Sequence, residues 1–524
     1  MPDTDARAGR IALALGVAIV LLAQVPYLLA YHARPPGTHF LGHIFNVPDH
    51  AAYTMIMRQA AEGHLAWNDF YWPGFPGLAP PAWFWTAVGW VSGHVGLPVT
   101  LVYHLVRVLA SVAYLCFLWK LMGRWTVSFK ARLLAYALAG GGLGLGVLAS
   151  AFHLNLKPPD LWMPEAWGFS SLTVFPHMAF NLALLTLALW QFEEALRAPR
   201  EWRHVLVSAL AAGLLGVVHP TTAAPFALVM LAMAVVLALT RQGFARVAEA
   251  GLVVAAGGAG AAWTSLAISH SPLQPLMSTI EFPPASPVEY LLGFGVVGVG
   301  ALWALVSREA FRPRPPSLLP AVWIILLPVM VYSYARVPIS GRFVIGAFLP
   351  LCALAAPVLL RLVEVRPIKS ARTLAKLLLV LVLVPAPLWY AFRGATHPAA
   401  YVTDAQEAMW SYLAQNVPDG EVIFCARQDG QYIGAYAGRP VFDGHWHLTP
   451  HDAPRHAVAE EFLRATTSPE RRQAILRMSG CTWIAASGPD AAALRSDPVL
   501  GKWMTFSEGD SVVAHVPSTA LRRR

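Results

Sequence analysis

Long apolar runs recur along this chain at short intervals, and they limit what it can fold into more than any other feature. The first runs from Ile11 to Tyr31. A helix needs ~20 apolar residues to cross the ~30 Å hydrocarbon core of a bilayer, so this run suffices. Ten more follow, which places candidate spans at 11–31, 98–121, 132–152, 174–196, 204–219, 222–240, 246–268, 287–307, 318–335, 341–361 and 373–392. Of the 524 residues, 56% are hydrophobic and 13% charged, against about 25% charged in a soluble domain. So little charge cannot cover a water-facing exterior, and lipid must cover much of it. No small-x-small site follows the first run, which therefore reads as an uncleaved anchor. The segment Trp83–Val95 is apolar but short and reads as a re-entrant or interfacial helix.

The net charge of +9 is explained by where the basic residues sit. With the N-terminus in the cytoplasm, the inside segments carry nineteen Lys and Arg residues. The outside loops carry five: Arg34, Arg58, Lys157, Arg336 and Arg342. This is the positive-inside bias, present at every cytoplasmic turn. No basic stripe with interleaved aromatics occurs, so nucleic acid is excluded as a partner and membrane lipid is implied. Only six of the 38 basic residues are Lys, in keeping with a GC-rich bacterial genome. The expected location is a bacterial inner (plasma) membrane, with a multi-pass chain whose C-terminal part is periplasmic.

Residues 1–397 read as the transmembrane domain, with outer loops at 32–97, 153–173 and 269–286. In the first loop a short helix ends at Glu62, and Ala52, Met55, Ile56 and Ala60 follow helical spacing on an interfacial face. From 398 to 524 charges become frequent and runs shorten. The pattern predicts helix 403–416, strand 421–425, a short helix near 430–437, helices near 453–465 and 469–478, and strands 481–487 and 511–517. The expected fold is mainly α, a polytopic membrane helical bundle of about eleven transmembrane helices with a small soluble α/β domain at the C-terminus. Cys425 and Cys481 each fall on a predicted strand, which leaves a disulfide open, while Cys116 and Cys352 lie in apolar runs. No internal repeat is present.

Asp49 lies in Asn46-Val-Pro-Asp-His-Ala-Ala-Tyr53, about 18 residues past the first span. It has two readings, a helix cap that satisfies free N–H groups and a reactive carboxylate. An Asp after the first span, with Tyr53 four residues on and a short helix ending in Gly63, resembles the GT-C superfamily. These are membrane glycosyltransferases using polyprenyl-phosphate sugars, such as protein O-mannosyltransferases and aminoarabinose transferases of lipid A. The resemblance continues in Glu62-Gly-His-Leu-Ala-Trp-Asn-Asp69, Val218-His-Pro220, Gly341-Arg-Phe-Val-Ile-Gly-Ala-Phe-Leu-Pro350 and Gly438-Arg-Pro-Val-Phe-Asp-Gly-His-Trp446. It implies that Asp49 is the catalytic base, and that the partners are a polyprenyl-phosphate-linked sugar and a glycan, lipid or protein acceptor. Where the family commonly has a second acidic residue this chain has His50.

Such chemistry needs a carboxylate to take the acceptor hydroxyl proton and cations on the departing phosphate. Arg336 and Arg342, the only basic residues of their outer loop, are candidates for that phosphate, with headgroup snorkelling as the alternative. Arg107 and His104 lie within the second span, where a charge faces a cavity or a partner. The resemblance implies a donor contact for them; a structural ion pair is the other reading. His177 and His219 sit at outer span ends, where each is a cavity group or a satisfied hydrogen bonder. Arg58 and Asp69 join the first-loop candidates, Asp69 alternatively forming a turn. Asp160, Glu165 and Glu281 are oxygen donors that could join Asp49 around a divalent metal; no spacing assigns a cofactor. His445, Trp446 and His447 offer a stacking face and hydroxyl partners for a sugar, or form a packed loop. The rival functions are a transporter or flippase for a lipid-linked glycan, a glycan polymerase or ligase, and a non-catalytic lipid-binding relative. A transporter predicts ionisable residues through several spans, whereas here they gather at one end of them.

Overall fold

A computed structural model describes residues 2–198, 201–241, 243–307, 317–364, 369–464 and 466–521. Arg200, Arg308, Arg312, Arg314 and Arg366, counted in the charge bias, lie outside the described residues. The chain forms two compact units. One comprises Met1–Leu29, Tyr103–Leu266 and Glu281–Ala395; the other comprises Ala30–Val102, Ala267–Ile280 and Thr396–Arg524.

The first unit is helical. Among the described residues, seven helices of the chain are long and apolar enough to cross a membrane: Arg7–His32, Val99–Trp125, Pro220–Leu239, Phe244–Ser269, Pro287–Val306, Ser340–Glu364 and Arg372–Ala395. Trp202–Val218 and Leu319–Val331 are apolar but shorter. Pro176–Arg197 has the length and carries Glu193 and Glu194 at its far end. The chain is a polytopic membrane helical bundle with an added α/β part. One expected span differs. Residues 132–152 form two helices, Phe129–Gly141 and Gly146–Ala151. Between them Leu143 N–H donates to the Val382 carbonyl and Leu145 N–H to the Leu292 carbonyl. A Cβ at Gly144 would lie 2.0 Å from the Gly293 carbonyl oxygen. Glycine permits this close crossing, and the tertiary bonds satisfy backbone groups that a continuous helix would have paired internally.

The second unit is mixed. Two short strands, β1 (Thr38–Phe40) and β2 (Tyr401–Thr403), pair antiparallel, so the first loop is tied to the chain that follows the last helix of the bundle. A four-stranded sheet orders β3 (Ile423–Phe424), β4 (Trp483–Ser487), β6 (Ser511–His515) and β5 (Met504–Glu508) as 3-4-6-5. Pair 3-4 is parallel, and pairs 4-6 and 5-6 are antiparallel. Phe424, Phe462, Ile475, Leu476, Ile484 and Val512 form its core. The expected helices and the two long strands are present near their anticipated positions; β5 and the helix Gly488–Arg495 were not anticipated. All four cysteines are free thiols, so Cys425 and Cys481 are not bridged.

Helix Val47–Ala61 buries Ala52, Met55, Ile56 and Ala60 within the protein, not on the membrane-surface face expected from their spacing, because Trp83–Val95 packs against the helix. Trp83–Val95 packs on it through Gly89 and Gly93, where a Cβ would lie 2.2 Å from the carbonyl oxygens of Met57 and Ala61. Its 13 residues rise ~20 Å, short of a ~30 Å core. Gly89→Leu should force these helices apart and destabilise the unit by about 1–3 kcal/mol. Thermal unfolding of detergent-solubilised protein measures this, and an unchanged midpoint would show that the glycine contact is dispensable.

Candidate functional site

Asn46, not Asp49, occupies the cap of helix Val47–Ala61. It is left-handed at φ 47°, ψ 63°, and Pro48 follows in the first turn, where its missing N–H leaves no bond unmade. Asp49 sits in that turn, near the positive end of the helix dipole. Its carboxylate makes no capping bond. Asn46 Nδ2 donates to Oδ2 at 2.7 Å, and His445 Nε2 lies 3.4 Å from Oδ1. His445 Nδ1 accepts the N–H groups of His447 and Leu448 at 3.1 and 3.3 Å. Those two donors fix the neutral tautomer, so the ring proton sits on Nε2 and faces Asp49. The His445 side chain is buried while that of Asp49 is 25% exposed. The carboxylate is therefore oriented from one side and open on another.

Around this pair the other first-loop candidates take separate roles. His50 is buried and stacks on His43, ring centroids 4.2 Å apart; burial lowers His43 to about 4. Tyr53 stacks on Trp85 at 4.1 Å. The Arg58 guanidinium lies 5.9 Å over the Tyr436 ring. Asp69 is buried, its Oδ1 accepting the Tyr71 N–H at 2.9 Å, which is the turn expected of it. Trp446 is exposed.

The helical unit holds a second polar cluster. Arg342 lies in the turn Ser340–Val344. Its guanidinium is 3.7 Å from the Phe282 ring, and its Nε is 3.7 Å from Glu165 Oε1, beyond hydrogen-bond reach. That Nε is buried without a hydrogen-bond partner among the described residues. His177 and His219 both lie in the field of Arg342, their ring centroids 6.1 Å apart. Asn181, one turn beyond His177, is buried with neither amide atom bonded. Sequence reasoning passed over Asn181; its one signal is the i,i+4 spacing from His177 in an otherwise apolar helix. Arg336, in the same loop as Arg342, is exposed.

Arg107 is placed differently. It is 1% exposed. It donates to the Leu172 carbonyl at 3.0 Å and to the Gln24 side chain, and it lies 4.1 Å over the Tyr27 ring. His104 meets Tyr27 and Tyr103 edge-on. The three proposed metal carboxylates are dispersed in role. Asp160 accepts the N–H of Gly146, Glu281 accepts the Tyr334 hydroxyl, and Glu165 faces Arg342. Among the described residues no three His, Cys, Asp or Glu side chains are grouped to hold a metal ion.

No family profile and no curated protein matches the sequence. Solved structures do match. The oligosaccharyltransferase of Archaeoglobus fulgidus in its apo form aligns over 97% of this chain and 77% of its own, at TM-score 0.53 and 13% identity. ArnT from Cupriavidus metallidurans, bound to undecaprenyl phosphate, aligns over 97% and 99%, at TM-score 0.52 and 15% identity. The mycobacterial arabinofuranosyltransferase AftD aligns over 95% of this chain and 41% of its own, at TM-score 0.57 and 14% identity. This chain has the fold of the GT-C membrane glycosyltransferases. Identities this low carry the GT-C fold and leave activity to be argued from the residues.

Burial pushes the Asp69 carboxyl up to about 8, whereas an unfolded Asp titrates near ~4. Below ~4 both states hold the proton. Between ~4 and ~8 the unfolded chain releases a proton that the folded chain keeps, so stability falls as pH rises through this window. Asp69→Asn retains the acceptor for Tyr71 and removes the titration. Its melting temperature should fall less than that of the wild type between about pH 5 and about pH 8, by ~2 °C or more. Parallel melting curves for the two proteins would refute this.

Proposed function

We propose that this protein is a membrane glycosyltransferase that moves a sugar from a polyprenyl-phosphate donor to a hydroxyl acceptor, with Asp49 as the base. The observation that carries the reading is the Asp49 carboxylate, oriented by Asn46 and His445 and not engaged in capping, in a chain with the GT-C fold. The charge bias supports a bacterial inner membrane with the N-terminus cytoplasmic and the C-terminal α/β part periplasmic.

In the proposed step the acceptor O–H gives its proton to Asp49 as its oxygen bonds the anomeric carbon. The bond from that carbon to the phosphate oxygen breaks, and the phosphate leaves with the electron pair. One displacement inverts the anomeric centre. Asn46 donates to Oδ2, which holds the rotamer, while Oδ1, with His445 Nε2 3.4 Å away and not hydrogen-bonded to it, keeps its lone pairs free for the incoming proton. The departing phosphate needs cationic donors. Arg342 is the candidate: its guanidinium makes no hydrogen bond with the described residues, and its planar fork matches phosphate oxygens. His177 and His219, which lie in its field, supply further polar atoms. Arg336 is a weaker candidate because it is exposed, and Arg107 because both of its Nη groups are engaged within the bundle.

Purified protein with radiolabelled polyprenyl-phosphate sugars and candidate acceptors tests the assignment. Asp49→Asn should lower transfer by roughly 10²–10⁴-fold with donor affinity unchanged. Transfer at the wild-type rate would remove Asp49 as the base, and labelled lipid crossing vesicles without transfer would indicate a flippase. Arg342→Ala should weaken donor binding by about tenfold or more, with Arg342→Lys intermediate; equal donor affinity in all three would dismiss the phosphate contact. His445 separates two roles. Asn keeps an acceptor for the N–H groups of His447 and Leu448, whereas Gln extends a donor toward Asp49. Gln should retain more transfer, at unchanged KM, than Asn. The opposite order would make His445 a loop brace only.

A further inference from the structure

The second unit contains a cavity of about 700 Å³, within the ~300–1,000 Å³ usual for small-molecule sites. Asn46 and Pro48 form one wall, Arg427 and Gln431 another, and His456 and Leu463 a third. None of the last four was a candidate on sequence grounds.

Two of these walls are braced from behind. Asp443 is fully buried; it receives Arg427 Nε at 3.2 Å and His456 Nδ1 at 2.9 Å. Arg427 Nη2 also donates to Asp452 at 2.5 Å. A buried carboxylate is destabilising unless paired, and here both partners are cavity-lining side chains. The arrangement holds them in one geometry, as a preorganised site requires. Gln431 points to a ligand independently. It lines the cavity, is 7% exposed, and its side-chain amide bonds to nothing among the described residues.

The lining also says what kind of ligand fits. Arg427 is neutralised by Asp443 and Asp452, and Arg464 lies 4.0 Å from Glu460. Asp490 adds a further negative group. The lining therefore carries no net positive charge that would favour a phosphate. The open polar groups are the neutral amides of Asn46, Gln428 and Gln431, set among the apolar Val47, Ala399 and Leu463. Amides both donate to and accept from hydroxyls, and the apolar patches suit the C–H faces of sugar rings. Asn46 links the cavity to the reactive group, because the residue lining it donates to Asp49 Oδ2 at 2.7 Å.

We infer that this cavity binds a neutral glycan and is the acceptor site of the proposed transferase. The inference rests on the assignment of Asp49 in naming the ligand an acceptor; the binding itself does not depend on that assignment. The test uses the full-length protein in detergent micelles and saturation-transfer NMR. The probes are neutral linear tetrasaccharides of glucose, mannose, galactose and arabinose, with an uncharged Ser/Thr-containing peptide as comparison. At least one tetrasaccharide should receive saturation from the protein. Gln431→Leu and Gln428→Leu should each weaken its binding by about fivefold without shifting the melting temperature, and Asp49→Asn should bind it as wild type does. Binding of no tetrasaccharide, binding indifferent to both Gln variants, or binding of the peptide alone overturns the inference. Wild-type transfer by Asp49→Asn defeats the assigned base while leaving glycan binding to the cavity intact, so the two failures read differently.

Discussion

The second unit depends on one aromatic side chain seated in a slot made of glycine. Tyr71 is fully buried, and its hydroxyl donates to the Gln431 carbonyl at 2.9 Å. A Cβ at Gly434 or Gly444 would lie 2.6 or 2.4 Å from its ring, so no other residue fits at either position without moving the ring. The slot belongs to the C-terminal segment and the tyrosine to the first loop. Closing so long a chain on itself has an entropy cost that grows slowly with length, and it is offset by burial of the ring and by the β1–β2 ladder. Asp49 meets His445, which stacks on Tyr71 at 5.7 Å, as a consequence of that closure. The position of the carboxylate is thus set by packing that takes no part in the chemistry.

Buried polar groups in the bundle differ in how much of their hydrogen-bonding capacity the fold uses. Arg107 is deep in a helix, yet a carbonyl, an amide and an aromatic face surround its guanidinium. Asp160 likewise serves the N–H of Gly146, at the start of a short helix. Each of the two still leaves one buried atom, Arg107 Nε and Asp160 Oδ1, without a hydrogen-bond partner among the described residues, although an apolar surround makes an unmet donor or acceptor costly. Arg342 Nε and the Asn181 amide are buried with their hydrogen-bonding capacity unused. Desolvated groups left in that state carry a penalty that packing alone does not explain, and a ligand oxygen would relieve it.

Much of the architecture was legible because it follows from composition along the chain. Apolar length located the helices, and helical spacing picked out one face of Val47–Ala61, which reads as a membrane-surface face but packs on protein. The break at 142–145 was hidden because glycine and leucine are as apolar as the helices they interrupt; only the approach of Gly293 shows why the chain turns there. Strand β5 escaped notice because Met504-Thr-Phe-Ser-Glu508 is as long as β4 and β6 but buries none of its residues, so it lacks their apolar run. Asp49 itself stood out from local context, but its partner His445 lies in a segment that reads equally well as a packed loop. Cavity residues such as Gln431 carry no local signal at all, since an amide in a helix looks the same whether it faces water or a ligand. Site chemistry was visible where it was coded by type and spacing, and hidden where tertiary pairing creates it.

The tautomer of His445 shows how such pairing acts. A histidine in a loop has two ring nitrogens of similar basicity, and nothing in its sequence neighbourhood says which carries the proton. Two backbone N–H groups, two and three residues on, approach Nδ1 because the chain from 445 to 449 is tightly wound, with Thr449 N–H bonded back to the His445 carbonyl at 2.9 Å. Nδ1 can then only accept, and the proton sits on Nε2, on the side that faces Asp49 at 3.4 Å without a hydrogen bond to it. A carboxylate facing the lone pair of the other tautomer would be repelled and would rotate away. The left-handed Asn46 completes the constraint, since its backbone turn brings the side-chain amide to the second oxygen. A β-branched residue would disfavour that conformation and offer no N–H. One carboxylate oxygen therefore accepts a hydrogen bond and the other faces the His445 ring at 3.4 Å, both neighbours being held by backbone geometry, and a base held in this way can receive a proton without reorganising its surroundings.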